Sequence, residues 1–160
     1  MDIKSIIEKV PLFNGLGDDE ISKIIDICEV RKYSEGSVIF KEHDAGDYLI
    51  IVGIGGVSLY NHNKNHNRDI KIAELGVGQT IGEMALIDVR ERSATVVADE
   101  ETEIVCITSE DLNNLLSCEN GMNYIPIIVN IARLMSERLR KTNKLIAEMV
   151  DSLEASRQFL

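Results

Sequence analysis

Several residue types and segments are scarce in this sequence. It has no tryptophan and two prolines, and none of its apolar runs approaches the roughly 20 residues of a membrane-spanning helix. The first residues carry charges from Asp2 to Lys9, which excludes the apolar core of a signal peptide. We therefore expect a cytoplasmic protein with no membrane partner.

Basic residues are also scarce. Lys and Arg total 17 against 27 Asp and Glu, which gives a net charge of −10. Binding to a nucleic-acid backbone requires a basic face that displaces counterions, so the sequence predicts no direct nucleic-acid partner. One small anion can still be held where an arginine and backbone N–H groups outweigh the acidic surroundings.

Cysteine and histidine are too few for a disulfide framework or a metal centre. Cys28, Cys106 and Cys118 are odd in number, lie in apolar stretches and form no C-x-x-C pair, which is typical of reduced, buried thiols. His62 and His66 fall in an Asn-rich segment, where solvated side chains are expected. We predict no metal, no cofactor and no enzymatic activity, because a cupin-like enzyme would need inward-facing histidine and carboxylate ligands.

The remaining pattern predicts one domain over residues 1–160. Amphipathic helices are expected in 1–29, a β-roll in 30–107 and further helices in 108–160. The runs SVIF, YLIIV, VSLY, IKIAEL, SATVVA and TEIVCIT are short, strand-forming and separated by turn residues. Such runs without intervening helices favour a sandwich or small barrel. The segment 61–69 is predicted to be a hairpin loop, and GIGG (53–56) a bulge and turn.

A long helix is predicted after Gly121, with Pro126 in its first turn and, before it, a capping box from Thr108 to Asp111. Its seam repeats in steps of three and four at Ile125, Ile128, Ala132, Met135, Leu139, Thr142, Ile146, Met149, Leu153 and Ser156. Eight of these ten positions are apolar, which predicts a coiled coil. A second copy of the chain is the simplest partner, so a homodimer is expected.

The segment IGEMALIDVRERSATVV (81–97) carries the candidate chemistry. Gly82 permits a close backbone approach, Glu83 offers two acceptors for vicinal hydroxyls, and Arg92 presents a planar fork suited to phosphate. One turn of helix over MALI would direct free N–H groups at an anion. Taken alone, a Glu and an Arg nine residues apart are usually a surface ion pair.

The segment LGVGQTIGEMALIDVRERSATV (75–96) resembles the phosphate-binding cassette of the cyclic nucleotide-binding domain family, which includes the catabolite activator and the regulatory subunits of protein kinase A. The segment GSVIFKEHDAGDYLIIVGIGGVSLY (36–60) matches the upstream family pattern, with His43 at a usual glycine and Ala45 at a common proline. The resemblance covers about residues 10 to 145. It implies a mainly β fold, a double-stranded β-helix or jelly-roll sandwich of about eight strands with flanking helices.

The resemblance also implies roles for individual residues. Glu83 would accept the ribose 2′-hydroxyl, Gly82 would let the backbone approach the ribose, and Arg92 would pair with the cyclic phosphate. Ser93 and the N–H groups of Ala85 and Leu86 would also bind the phosphate. The full implied set in the cassette is Gly82, Glu83, Met84, Ala85, Leu86, Arg92, Ser93 and Ala94. Glu91 departs from the eukaryotic pattern, which often has proline, and places a negative charge beside the phosphate.

The base would be read from the long helix. In the catabolite activator a Leu-x-x-Thr-Ser motif contacts adenine from two subunits, and here Leu139, Thr142 and Asn143 have the same spacing. Thr142 also fits a second interpretation, a polar residue that sets coiled-coil register. Asn143 in place of serine leaves the base preference open, while Ser93 favours cAMP over cGMP.

The sequence thus predicts a cyclic nucleotide sensor without a DNA-binding domain of its own, binding cAMP, with cGMP possible, and acting on a downstream protein partner that the sequence does not identify. Two alternatives stay open. The first is the sensor half of a catabolite-activator-type regulator cut before its helix-turn-helix, and the second is a family member that has lost nucleotide binding.

Overall fold

Eight antiparallel strands form the centre of the chain in the computed structural model, which describes residues 1–63, 65–87, 90–117 and 121–157. The strands are β1 (Glu29–Tyr33), β2 (Val38–Phe40), β3 (Tyr48–Ile54), β4 (Gly56–Asn63), β5 (Arg68–Gly76), β6 (Thr80–Ile81), β7 (Thr95–Ala98) and β8 (Thr102–Thr108). The helices are α1 (Ile3–Ile7), α2 (Asp18–Asp26), α3 (Ser109–Leu116) and α4 (Ile125–Arg157), with 3-10 helices at Pro11–Phe13, Glu83–Leu86 and Gly121–Tyr124.

The strands form two four-stranded sheets that face each other. One has the order β1-β8-β3-β6 and the other β2-β7-β4-β5. The sequence neighbours β6 and β7 therefore lie in different sheets. This arrangement is the predicted jelly-roll sandwich with flanking helices, so the expected fold class is confirmed.

Strands β3 and β8 are buried on both faces, which explains their uninterrupted apolar runs. Successive side chains of a strand point to opposite faces. Ile50 and Val52 of β3 join the interior core between the sheets, together with Ile104 and Cys106 of β8. The alternate residues Leu49, Ile51, Val105 and Ile107 join a second core that the helices cover. The first sheet is thus the wall shared by both cores.

The N-terminal helices and the first half of α4 close the second core. Ile7, Ile24, Ile127 and Ile131 are completely buried there. Asn130 is also buried, and its side-chain amide donates to the carbonyl oxygens of Leu12 and Asn14 at 3.1 and 2.8 Å. These bonds satisfy a buried polar group and fix the start of α4 against the N-terminal segment.

Local expectations from the sequence are largely confirmed. Thr108 caps α3 by accepting from the Asp111 N–H, and α4 begins at Ile125 with Pro126 in its first turn. The GIGG segment carries a register shift next to Gly53 and a left-handed Gly55, as a bulge and turn require. Cys28 and Cys106 are unpaired, whereas Cys118 lies outside the described residues.

The prediction that 61–69 is a loop was wrong at both ends. Asn61, His62 and Asn63 pair with Ile70, Asp69 and Arg68, so β4 and β5 reach almost to the turn. Cross-strand contacts such as the 2.9 Å bond between His62 Nδ1 and Asp69 Oδ1 offset the low strand propensity of asparagine. Strand stability here comes from pairing and not from local preference.

The second half of α4 leaves the body of the domain. Its residues from 136 to 155 are exposed, and the predicted seam is part of that surface. Leu139, Ile146, Met149 and Leu153 are between 54% and 65% exposed. In the part of the chain that the structure describes, no helix has the length and apolarity to cross a membrane.

Replacing Ile131 with alanine should lower the free energy of unfolding by about 2–5 kcal/mol, because it empties space in the core beneath α4. Urea unfolding followed by circular dichroism measures the change. The matched control is Ile72→Ala on β5, where the side chain is 54% exposed and a change within about 0.5 kcal/mol is expected. Equal losses in both variants would contradict the assignment of Ile131 to the core.

Candidate functional site

The candidate site is built on residues 82–94, which connect β6 of one sheet to β7 of the other. Gly82 ends β6 with φ of +82°, a left-handed conformation that favours glycine. The residues Glu83–Leu86 then form a single turn of 3-10 helix, one residue earlier than the turn predicted over MALI (84–87). This connection places Glu83 and Arg92 at the same end of the sandwich.

Gly82 is also required because other groups approach it closely. A methyl group at this position would overlap Nη1 of Arg92 and would lie 2.9 Å from the carbonyl oxygen of Tyr48. The Arg92 guanidinium therefore packs directly against the backbone of the cassette. Any side chain at position 82 would displace that cation.

The Arg92 side chain is buried between the two sheets. It is 5% exposed, and its Cζ atom lies 4.2 Å from the ring centre of Phe40 and 4.3 Å from that of Tyr48. These rings belong to β2 and β3, one from each sheet. Among the described residues, Nε and Nη2 of Arg92 have no hydrogen-bond partner. The site thus contains a buried cation with two unsatisfied donors.

The backbone of Arg92 is held by the loop that follows β2. The Arg92 N–H donates to the carbonyl oxygen of Asp44 at 2.8 Å, and the His43 N–H donates to the Arg92 carbonyl oxygen at 2.9 Å. A third bond joins the Gly46 N–H to the Arg90 carbonyl oxygen at 3.0 Å. Because these bonds flank Arg92, they fix the point from which its side chain enters the sandwich.

Glu83 is the second buried charge in the site. Its carboxylate is completely buried and forms an ion pair with Arg138 of α4. Oε2 of Glu83 has no hydrogen-bond partner in the described part of the chain. Burial raises the pKa of Glu83 above the ordinary value of 4.5, and the nearby Arg138 opposes that rise. The free acceptor on Glu83 complements the free donors on Arg92.

Arg138 is a site residue that the sequence analysis missed. Its guanidinium also donates to the Thr80 carbonyl oxygen at 3.0 Å, so it contacts the cassette and the strand before it. The coiled-coil seam pattern includes Leu139 but not its neighbour Arg138. The sequence does contain a signal, since Arg138 follows Ile127 and Ile131 at helical spacing, on the face that packs on the domain.

The carboxylate of Glu91 contacts His43 at the surface of the loop. Its carboxylate is 2.9 Å from Nδ1 of His43, and both side chains are about two thirds exposed, at 69% and 66%. His43 has φ of +71°, the left-handed region that its usual counterpart, glycine, adopts readily. The two residues that depart from the family pattern, His43 and Glu91, are therefore in contact with each other.

The other cassette residues divide by exposure. Ala85, Leu86 and Ala94 are buried, Ser93 is exposed and Met84 is 62% exposed. The Ala85 N–H donates to the Gly82 carbonyl oxygen at 2.9 Å within the 3-10 helix. Ser93 is tied to β4, because its carbonyl oxygen accepts from the Asn61 side chain at 2.7 Å. Asn61 is a second contact of the cassette that the sequence analysis assigned to a loop.

Thr142 and Asn143 are not brought to this site within one chain. Both are exposed on α4, beyond Arg138. The helix therefore reaches the cassette through Arg138, and it carries Thr142 and Asn143 onto the surface that continues the seam.

A depression of about 700 Å³ opens next to Arg92. Its lining residues are His43, Ala45, Gly46, Arg90, Glu91, Arg92 and Ser93. Glu83 is not among them, so the depression borders the site on the Arg92 side and does not by itself outline the whole of it. No group of His, Cys, Asp and Glu within the described ranges has an arrangement that could hold a metal ion.

Comparison with known proteins places this geometry in context. A family model described as the cyclic nucleotide-binding domain matches residues 30–118. Over 134 residues the chain is 34% identical to the cyclic AMP receptor protein of Thermus thermophilus, a match that covers 83% of this chain and 59% of that protein. Over 104 residues it is 33% identical to cGMP-dependent protein kinase 2 of Homo sapiens, covering 65% of this chain and 14% of the kinase.

A solved structure agrees with these matches. The crystal structure of the Thermus thermophilus catabolite activator protein has a TM-score of 0.75 and 32% identity, with coverage of 87% of this chain and 62% of that one. The chain thus spans less than two thirds of the length of each of these three proteins.

The buried carboxylate predicts a distinct pH dependence of stability. Because the pKa of Glu83 is raised in the folded chain, its contribution to stability is fully present below the unfolded-state pKa and is lost as pH rises through the folded pKa. Glu83→Gln should therefore gain stability relative to the wild-type chain as pH rises above 4.5. Urea unfolding at a series of pH values measures the difference.

The control for this experiment is Glu101→Gln, at an exposed position in the turn before β8. Its stability profile should stay parallel to that of the wild-type chain. A parallel profile for Glu83→Gln as well would show that Glu83 ionises in the folded chain as readily as in the unfolded one.

Proposed function

The chain belongs to the cyclic nucleotide-binding domain family, and we propose that it is a regulatory sensor that binds one cyclic purine mononucleotide between the cassette and the β-roll. The observation that carries this proposal is Arg92. A buried guanidinium whose Nε and Nη2 lack partners is costly unless an anion satisfies them. A cyclic phosphate supplies one negative charge and the acceptor oxygens that a planar fork binds well.

The sugar completes the proposed ligand. Glu83 has a buried oxygen without a partner, which suits it to accept the ribose 2′-hydroxyl. Gly82 lies between this carboxylate and Arg92, where the absence of a side chain lets the ribose approach the backbone. Ser93 and the Leu86 N–H are placed in the same connection and would add donors to the phosphate. The proposed contacts are therefore those of a charged, hydroxylated ligand.

We propose that α4 relays the binding event. Arg138 of α4 pairs with the carboxylate that is assigned to the ribose, so ligand and helix share one group. A ligand shifts an equilibrium only through its different affinity for two arrangements. Nucleotide binding changes the hydrogen-bond partners of Glu83 and thereby changes the free energy of its ion pair with Arg138. The position of α4 relative to the sandwich is then linked to occupancy.

The exposed seam of α4 supports a homodimer as the signalling unit. Leu139, Ile146, Met149 and Leu153 follow coiled-coil spacing and are all more than half exposed. A second copy of the same helix would cover this stripe. Thr142 and Asn143 lie in the same stretch, so the dimer would bring them close to a nucleotide, where they would contact the base.

We propose cAMP as the first nucleotide to test and cGMP as the second. The matched relatives include a cyclic AMP receptor protein and a cGMP-dependent kinase, so either purine agrees with the family. Ser93 follows Arg92 in the cassette, which favours cAMP in the family pattern. The proposed contacts of Arg92 and Glu83 suit both nucleotides, so Ser93 and the base contacts at Thr142 and Asn143 would decide between them.

Calorimetric titration with cAMP and cGMP tests the function, and Arg92→Ala tests the site. Loss of the charge-assisted pair should weaken binding by about 1.5–3 kcal/mol, or roughly 10- to 150-fold. Arg68→Ala, at an exposed position on β5, is the control and should bind as the wild-type chain does. Binding of neither nucleotide by the wild-type chain would reject the function, whereas equal affinity of Arg92→Ala would reject the site.

Disrupting the seam tests the dimer. Ile146→Glu places a charge in the middle of the apolar stripe and should convert a dimer to a monomer, which analytical ultracentrifugation detects as a halved mass. Ala147→Glu adds the same charge one residue away, off the seam, and should leave the dimer intact. A wild-type chain that sediments as a monomer would contradict this prediction.

A further inference from the structure

Arg92 is enclosed by the rings of Phe40 and Tyr48, and the roles implied by the family resemblance give neither ring a part in ligand binding. The rings of Phe40 and Tyr48 stand at 80° to each other with centres 6.3 Å apart, and the Arg92 guanidinium occupies the corner that they form. Phe40 is 7% exposed and Tyr48 is half-buried. The corner therefore extends from the interior core toward the edge of the sandwich.

The corner stabilises the cation without using its hydrogen bonds. Ring faces attract a guanidinium through their quadrupole, and this attraction grows when water is excluded. An acidic partner would do the same but would occupy the donors. With aromatic partners, Nε and Nη2 of Arg92 stay unpaired. The same rings restrict the guanidinium to one place, beside the backbone of Gly82.

Tyr48 has a second cation on its ring. The Arg31 guanidinium of β1 lies 5.2 Å from the ring centre of Tyr48 and is also bonded to Glu29 at 2.7 Å. Arg31 and Arg92 thus both contact Tyr48, and Arg31 links the ring to the outer strand of the first sheet. The ring therefore has a contact on the first sheet that does not involve Arg92.

We propose that Tyr48 and Phe40 are positioning residues that hold the Arg92 guanidinium ready for the cyclic phosphate. This inference rests on the nucleotide site proposed above. They act through Arg92 and do not contact the phosphate themselves. The aromatic corner offsets part of the cost of burying the cation and limits its rotamers before the ligand arrives. Removing a ring should therefore reduce affinity by loosening Arg92, while a ring without the hydroxyl should suffice.

The test measures cAMP and cGMP affinity by calorimetry in Tyr48 variants of the full chain. Tyr48→Leu should weaken binding by up to about tenfold, the value expected when one long side chain must be ordered on binding. Tyr48→Phe should restore the wild-type affinity. In an Arg92→Ala background, Tyr48→Leu should cause no further loss, because the two residues act as one unit.

A matched control separates positioning from packing. Tyr33 is half-buried against the same interior core, and among the ring contacts of the described residues it has none with Arg92. Tyr33→Leu should leave affinity unchanged. Urea unfolding of every variant checks that the chain is folded. If Tyr48→Leu does not fold, Phe40→Leu removes the other ring and should weaken nucleotide binding in the same way.

The outcomes distinguish this inference from the function on which it rests. A wild-type chain that binds neither nucleotide overturns both. A wild-type chain that binds, with Tyr48→Leu binding equally well, overturns only the positioning role. An equal loss from Tyr48→Leu with and without Arg92 also overturns it, because the ring would then act independently of the cation.

Discussion

The burial of one arginine is the constraint on which the rest of the site depends. Arg92 lies between two sheets in an acidic chain, with Nε and Nη2 unsatisfied in the described structure. A buried and unpaired charge costs several kcal/mol, so the fold must offset that cost locally. It does so with the rings of Phe40 and Tyr48, while main-chain bonds to Asp44 and His43 fix the position of the residue. Burying this cation lowers the stability of the folded chain, but it leaves hydrogen-bond donors that a phosphate can satisfy.

The same reasoning explains why α4 is divided into two parts. Its first half completes the core through Ile127 and Ile131, and its exposed second half presents the seam. Arg138 stands where the two parts meet and pairs with the other buried charge, Glu83. A helix that only packed on the domain would be insensitive to the ligand. Under the proposed relay, a helix tied to the cassette by this charge pair would respond to a ligand that changes the contacts of the Glu83 carboxylate.

Two departures from the family pattern contact each other in the loop beside the proposed phosphate site. Glu91 brings a negative charge next to Arg92, and His43 occupies a left-handed position that usually belongs to glycine. Their side chains meet at 2.9 Å on the exposed side of the loop, while Arg92 enters the interior. Both residues border the same depression, but the Glu91 carboxylate contacts His43 whereas the Arg92 guanidinium contacts the rings of Phe40 and Tyr48.

The sequence alone determined the fold class, the strand-forming runs, the caps and turns and the identity of the cassette, because these depend on local periodicity and on motifs of fixed spacing. It did not reveal that Asn61, within a run of polar residues, lies in a strand, since cross-strand pairing outweighs local propensity. Nor did it reveal that Arg138 meets Glu83, or that Phe40 and Tyr48 enclose Arg92. Those contacts join residues that are far apart in the chain, and only the closing of two sheets and a helix around one end of the sandwich brings them together.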